Sequence, residues 1–342
     1  MHQLDLAPIK KLISEPKRIA ITAHQRPDGD AIGSSMGLYH SLKNLGHKPV
    51  VIMPTDYPPN LKWLPDDEKV LITPNNEEAA KQAIHDAELI FCLDLNDLKR
   101  VAPLDEAIAT SSVPVIMMDH HLDPKGFHAY AYWDDKAAST AEMVYRLFRD
   151  AGLDHAVDQT AAQALYMGIL TDSGSFRFPA VTAELHRIVA DLMDKGARPN
   201  VAYEQIYNND SHKRLTLLGH ILNERLTFLP EYNAALMILT KEDYEKFDIQ
   251  SGETEGFVNF PLSVKNVNLS IYLAEWEDMV KMSFRSRGTF PANELAGHFS
   301  GGGHRNAAGG RSLESLEAVK AKLMELLPTY KTQLDYNIMD VL

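Results

Sequence analysis

Hydrophobic positions in the first half of the chain fall into short, nearly continuous runs separated by stretches with helical spacing. Arg18–Ala23, Pro49–Met53, Glu88–Leu93 and Val113–Met118 read as strands, and Ala31–Leu45 and Glu77–His85 as helices. Apolar strands alternating with helices imply a parallel sheet buried on both faces, with ligands gathering at the carboxyl ends of its strands. From Ala137 to about Arg225 the spacing turns helical, most clearly at Thr160–Leu170, Ala183–Lys195 and Ser211–Leu226. Strands return at Leu226, with Ala234–Leu239, Asn268–Ala274 and Met279–Arg285. A glycine cluster at Gly301 and a last helix over Leu313–Leu327 follow. The pattern predicts an α/β chain: a parallel-sheet N-terminal domain with flanking helices over residues 1–208, a helical linker over 209–225, and a smaller mixed α/β domain over 226–342.

Composition narrows the class. The 342 residues are 45% hydrophobic and 24% charged, which suits two folded domains and argues against disorder or a disulfide scaffold. The lone cysteine, Cys92, lies in the apolar run Leu89–Leu93 and reads as a small buried hydrophobe in a reducing compartment. The longest apolar stretch, Ala164–Leu170, is too short to span a bilayer, and charges at Asp5, Lys10, Lys11 and Glu15 break any secretory signal, so a cytoplasmic location is expected. A net charge of −13, with no basic block, disfavours long duplex nucleic acid and leaves small anionic substrates served by metal ions.

Chemistry-bearing residues cluster where the sheet rule directs attention. His24, Asp28 and Asp30 follow the first strand on a turn made by Pro27 and Gly29, a metal-ligand composition that a solvated loop could also carry. Asp94 closes the strand that contains Cys92, either as a helix cap or as a ligand. Asp119-His120-His121 follows the next strand. Adjacent histidines on an extended segment face opposite ways, which suits one to metal and the other to substrate, with Asp119 fixing an imidazole tautomer. Asp172 ends a helix, where its charge opposes the dipole unless a cation compensates. Carboxylates and imidazoles without thiolate match two divalent cations, Mn²⁺ preferred and Mg²⁺ the alternative, able to clamp a phosphoryl group for in-line displacement.

HQRPDGDAIGSS, FCLDLND, MMDHH and GILTDSGSF resemble, in this order, the motifs of the DHH phosphoesterase superfamily, and GGGHRNAAGG resembles the signature of its associated C-terminal domain. The resemblance covers nearly the whole chain. It is nearest to the stand-alone NrnA-like members, oligoribonucleases (nanoRNases) that cut short RNA to mononucleotides and also remove the 3′-phosphate of adenosine 3′,5′-bisphosphate (pAp). It implies His24, Asp28, Asp30, Asp94, His120 and Asp172 as metal ligands, with Asp94 bridging, and His121, steadied by Asp119, at the scissile phosphate. It also implies that Arg285, Gly302, Gly303, His304, Arg305 and Asn306 bind the nucleotide end, with Arg285 and His304 gripping a phosphate. Short RNA oligonucleotides or small nucleotides are then the substrates, and no membrane takes part.

Other readings compete. Gly33-Ser34-Ser35-Met36-Gly37 fits the G-x-S-x-G nucleophile elbow, but Ser35 falls inside a helix rather than at a strand-to-helix turn. Neither a Walker A loop nor G-x-G-x-x-G is present. A phosphodiesterase for linear cyclic-dinucleotide products such as pApA shares the motifs. So does a manganese-dependent pyrophosphatase, against which the GGGH-bearing domain counts. A vestigial nucleotide-binding module would lack a ligand, and none is missing.

Overall fold

The computed structural model describes residues 2–249, 252–276 and 278–335. It divides the chain into two compact units, Met1–Asn209 and Asp210–Leu342. The strands of the first unit are β1 (His2–Leu4), β2 (Arg18–Thr22), β3 (Lys48–Met53), β4 (Leu71–Ile72), β5 (Leu89–Leu93), β6 (Val115–Asp119) and β7 (Tyr130–Asp134). Its helices are α1 (Leu6–Leu12), α2 (Gly29–Asn44), α3 (Thr73–Asp86), α4 (Asp105–Ala109), α5 (Thr140–Asp150), α6 (Gln159–Asp172), α7 (Ala183–Asp194) and α8 (Pro199–Tyr207).

The seven strands form one sheet in the order β1-β7-β6-β5-β2-β3-β4, parallel throughout except for β1, which pairs antiparallel with β7. Every residue of β5 and β6 is buried, as expected of strands covered on both faces. Cys92 is fully buried, and burial pushes its thiol up to about 12, which makes it an inert core side chain. The chain runs outward from β2 through β3 to β4, then crosses back to β5 on the other side of β2. The strand order therefore reverses between β2 and β5, and a crevice opens beyond their carboxyl ends. His24 follows β2 and Asp94 follows β5, so the topology alone brings these two residues to one place.

Helix α2 is buried over nearly its whole length, between the sheet and helices α5 and α6. Its glycines set how closely α6 can approach. A Cβ on Gly33 would come within 2.6 Å of both the Ala164 carbonyl oxygen and the Gly168 nitrogen, which are backbone atoms of α6. A Cβ on Gly37 would collide with the Leu165 side chain. Gly33 and Gly37 are thus a packing stripe, and Ser35 is a core residue of the helix, so the elbow reading fails on geometry as well as on context.

The second unit is a mixed sheet of β8 (Leu226–Leu229), β9 (Ala234–Leu239), β10 (Leu269–Glu275), β11 (Val280–Ser286), β12 (Gly302–His304) and β13 (Ala307–Ser312), in the order β12-β13-β11-β10-β9-β8. Only β9 and β10 pair in parallel. Its helices are α9 (His212–His220), α10 (Lys241–Phe247), α11 (Ala292–Gly297), α12 (Leu316–Leu326) and α13 (Lys331–Leu334). Leu217, Leu218 and Ile221, in the stretch expected as a linker, pack with Met237, Leu239 and Tyr272 of this unit.

The glycine cluster follows α11 and forms a β-hairpin, β12 and β13 joined by Arg305-Asn306. Two readings of the sequence need correction. The last helix starts at Leu316, because Ser315 caps it by accepting from the Ala318 N–H at 3.3 Å, and Leu313 is left 83% exposed. Strands β1, β4 and β7 lie on or next to the sheet edges, where half-buried residues weaken the apolar pattern that marked the central strands. Among the described residues no helix is long and apolar enough to cross a membrane.

Gly33→Ala is expected to destabilise the protein by about 1–3 kcal/mol, since backbone atoms of α6 cannot rotate away as a side chain would. Gly219→Ala, in α9 with open space around it, is the control and should be neutral or stabilising. Urea unfolding of the two variants checks both outcomes.

Candidate functional site

The site is assembled from the ends of β2, β5 and β6, the first turn of α2, the N-terminus of α5 and the last residue of α6. Asp28 caps α2: its Oδ1 accepts from the Asp30 and Ala31 N–H groups at 3.0 Å each, and its Oδ2 lies 3.8 Å from His24 Nε2. The same residue is therefore both a helix cap and a member of the cluster. Asp94 is not a cap, since Asp97 takes that role by accepting from the Lys99 N–H at 2.9 Å. Asp94 instead adopts a left-handed backbone (φ 56°) at the end of β5, where it is buried.

Asp94 sits between imidazoles. Its Oδ2 is 3.3 Å from His24 Nε2, and its Oδ1 is 3.6 Å from His120 Nε2 and 3.5 Å from His121 Nδ1. His120 Nε2 is also 3.2 Å from Asp172 Oδ2 and 4.0 Å from Asp30 Oδ2. Potential ligand atoms of His24, Asp28 and Asp94 form one group within 4.8 Å of one another, and those of Asp30, His120 and Asp172 form a second. Asp30 was expected beside His24 and Asp28 on one turn. It lies instead in the first turn of α2, which rotates its side chain toward α5 and α6.

His121 departs from the alternation expected of an extended segment, because β6 ends at Asp119 and both imidazoles lie beyond it. Their rings are 5.0 Å apart at 69°. His121 Nδ1 meets Asp119 Oδ1 at 2.7 Å, and Asp119 is fully buried, so the carboxylate fixes the tautomer and the orientation of the ring. His24 Nδ1 and His120 Nδ1 bond to the Gln25 and Ala137 carbonyl oxygens at 2.8 and 3.1 Å, which turns the Nε2 atoms of both rings toward the carboxylates.

Sequence reasoning missed the contribution of α5. Asp30 accepts from the backbone N–H groups of Thr140 and Ala141 at 2.6 and 2.9 Å, so a buried carboxylate is held at a helix N-terminus. Thr140 also donates through Oγ1 to Asp94 Oδ1 at 3.2 Å. Ser139-Thr140-Ala141-Glu142 fits the S-x-x-E capping signature, and Ser139 Oγ does accept from the Glu142 N–H. That signature marks where α5 begins but carries no information about what the helix end faces.

The charges are strongly coupled. Burial would lower the His24 imidazole, but its hydrogen bond to Asp94 and the charges of Asp28 and Asp94 outweigh this and raise it to about 9. The same balance, with Asp94 and Asp172 as the main partners, lifts His120 well above the usual range. Burial would raise Asp94, yet hydrogen bonds from His120 and His24 hold it well below the ordinary carboxylate range. Asp30 is pushed well up by burial and by the Asp94 and Asp172 charges. Burial pushes Asp172 up to about 7, with His120 opposing and Asp28 and Asp94 adding to the rise. These are the shifts of a carboxylate cluster that takes up protons where a cation would otherwise balance it.

In the second unit, Gly303 has φ 135° and a Cβ there would meet the Ala307 carbonyl oxygen at 2.7 Å, whereas a Cβ on Gly302 would meet nothing within 4 Å. The Arg305 Nε donates to the Thr289 carbonyl oxygen at 3.1 Å, and Asn306 Nδ2 donates to Ser286 Oγ and the Gly288 carbonyl oxygen, each at 3.0 Å. These two side chains hold the hairpin to the end of β11. Arg285 is half-buried on β11, where its Nη1 donates to the Phe284 carbonyl oxygen at 3.0 Å, and His304 ends β12.

Comparison with known proteins gives this arrangement a family. Residues 18–169 match the DHH family, N-terminal domain, and residues 233–329 match the DHHA1 domain. A protein of Thermus thermophilus named bifunctional oligoribonuclease and PAP phosphatase NrnA is 31% identical over 333 residues, 93% of each chain. This chain belongs to the DHH family. A Bacillus subtilis member of the same name is 26% identical over 87% of this chain and 90% of its own. The crystal structure of an exopolyphosphatase-related protein from Bacteroides fragilis is 38% identical and superposes with a TM-score of 0.93, covering 97% of each chain. RecJ from Thermus thermophilus in complex with Mn²⁺ shares the DHH-family fold at a TM-score of 0.53 and 12% identity, over 96% of this chain and 54% of RecJ.

A group whose ionisation is raised on folding contributes stability below its unfolded value and loses it as pH climbs through the folded one. His24 therefore makes the chelated protein less stable from about pH 6.5 toward about pH 9. Cation affinity rises over the same window as the ligands deprotonate. The difference in melting temperature between Mn²⁺-loaded and EDTA-treated protein should accordingly widen with pH, as read by scanning fluorimetry.

Proposed function

We propose that this chain is a metal-dependent phosphoesterase that hydrolyses short oligoribonucleotides to mononucleotides and removes the 3′-phosphate of adenosine 3′,5′-bisphosphate. The observation that carries the reading is Asp94, whose two carboxylate oxygens face separate imidazoles at the meeting of the two ligand groups. Support also comes from the names of the relatives at 31% and 26% identity. A cytoplasmic location goes with this reading, given the single buried thiol.

The donor set suits hard-to-borderline divalent cations, since it combines carboxylate oxygen with imidazole nitrogen and contains no thiolate. His24, Asp28 and Asp94 would hold one ion, and Asp30, His120 and Asp172 the other, with Asp94 shared. Mn²⁺ is preferred and Mg²⁺ is the alternative. Such ions supply, when bound, water activated for attack at phosphorus and positive charge for the non-bridging oxygens. Water adds across one P–O ester bond, and the leaving ribose oxygen takes up a proton.

The remaining roles fall to the chain itself. Asp119 holds Nδ1 of His121, which directs the Nε2 side of the ring to the scissile phosphate. His121 steadies the negative charge that develops there and assists the leaving oxygen. The N-terminus of α5 fixes the position of the Asp30 carboxyl through two backbone N–H groups. In the second unit, Arg285 and His304 grip a phosphate of the nucleotide, Gly302 lets it come close to the backbone, and Gly303 allows the tight hairpin that presents them. Arg305 and Asn306 contribute by fixing the hairpin from which His304 projects.

Asp94→Asn is expected to lower mononucleotide release from an RNA dinucleotide in Mn²⁺ by more than roughly 100-fold while leaving the fold intact by circular dichroism, since a shared ligand matters more than an outer partner. Near-normal turnover in that variant would sink the assignment. Arg285→Ala should raise KM by about tenfold or more, with a smaller effect on kcat, in steady-state assays on the dinucleotide and on pAp.

A further inference from the structure

The segment that follows Asp172 is shaped at a cost that ligand chemistry does not explain. Gly174, Ser175 and Phe176 have consecutive positive φ values of 58°, 58° and 64°. For the serine and phenylalanine this backbone costs about 1–2 kcal/mol each, and a bulky side chain there is an outlier. The turn is held by the Ser175 N–H donating to the Leu170 carbonyl oxygen at 2.9 Å and by the Phe178 N–H donating to the Ser173 carbonyl oxygen at 3.1 Å.

The turn seats Phe176 on the core and brings the Phe178 ring back over the segment that directly follows Asp172. The Phe178 ring lies so close over Gly174 that a Cβ there would come within 2.6 Å of it. Tyr207, at the end of α8, is placed on the Ser175 side of the same turn. Burial raises the ionisation of its phenol, the Ser175 side chain and Arg177 oppose this, and the charges of Tyr203 and Asp172 add to it. Tyr203 packs against Tyr207 with centroids 4.9 Å apart. None of the three rings serves the core. Phe178, Tyr203 and Tyr207 are 42%, 46% and 38% exposed, whereas Phe176 of the same turn packs on the core beside Tyr166 and His186. An exposed aromatic pair one turn apart can stabilise its own helix, but Phe178 lies on no helix.

We infer that Tyr207 and Phe178, with Tyr203 packed behind Tyr207, form a stacking platform for the base of the nucleotide next to the scissile phosphate. The inference rests on the proposed nucleotide chemistry and adds to it a specificity element within the first unit. An aromatic face accepts any base but requires that the base be splayed from its neighbours, so the platform selects short single strands over duplex and shows little base preference.

The test compares kcat/KM on an RNA dinucleotide with kcat/KM on the same dinucleotide lacking its bases, in Mn²⁺. The advantage conferred by the bases should shrink about tenfold or more in Tyr207→Ala and Phe178→Ala and return in Tyr207→Phe, which keeps the ring. An advantage equal to that of the unmodified protein in both alanine variants overturns the inference. Binding of a 2-aminopurine dinucleotide to the Asp94→Asn variant separates the two claims. Quenching that Tyr207→Ala abolishes supports stacking even if the unmodified protein cleaves no dinucleotide, an outcome that would overturn the proposed function alone. Binding without quenching, or no binding, overturns the platform.

Discussion

Three carboxylates forced into one buried place dominate this molecule. Asp30, Asp94 and Asp172 lie within reach of a single imidazole, His120, and like charges so close cannot all stay ionised without help. The protein supplies that help unevenly. Asp30 receives two N–H groups from the start of α5, and Asp94 receives two imidazoles and a hydroxyl. Neither the N–H groups at Asp30 nor the imidazole beside Asp172, which sits at the wrong end of its own helix dipole, outweighs burial and repulsion, and both carboxyls are pushed up while Asp94 is held down. That imbalance is what makes the cluster receptive to cations, because ions replace the bound protons and quench the repulsion together.

Helix packing sets the geometry on which this electrostatic arrangement depends. Asp30 begins α2 and Asp172 ends α6, so the distance between them follows from how closely those helices cross. Gly33 allows backbone-to-backbone contact at the crossing, and Gly168 on the opposite side has no room for a Cβ beside Asp30. The small residues that mimic a nucleophile elbow thus serve the site from a distance. They determine whether the carboxylates of two helices can share one cluster.

The glycines of the second unit divide in the same physical way. Gly301 and Gly303 are required by strand contacts within the hairpin, where a Cβ would strike the Gly309 and Ala307 carbonyl oxygens, while Gly302 is open. A glycine-rich segment that reads as an anion cradle is therefore, for two of its three glycines, a packing solution. The turn behind Asp172 combines both cases, since its strained Phe176 packs on the core while the Phe178 ring that follows stays exposed.

Much of this was legible in the chain. Continuous apolar runs gave the central strands to within a residue or two, since strands buried on both faces leave no polar alternation to misread, and His24, Asp94 and His120 stand at their ends. Local chemistry marked Asp28, Asp30 and Asp172 as well. Which carboxylate belongs with which imidazole was decided only by tertiary structure. Asp30 joins His120 rather than its near neighbour His24 because the first turn of α2 rotates it toward α5 and α6. Thr140 and Tyr207 carry no motif, and their relation to the site depends on contacts between segments far apart in the chain. Sequence determines the hydrophobic period and the cost of each backbone shape locally. Partners across a helix crossing are fixed only when the helices pack, because the close approach that selects them is a property of two surfaces together.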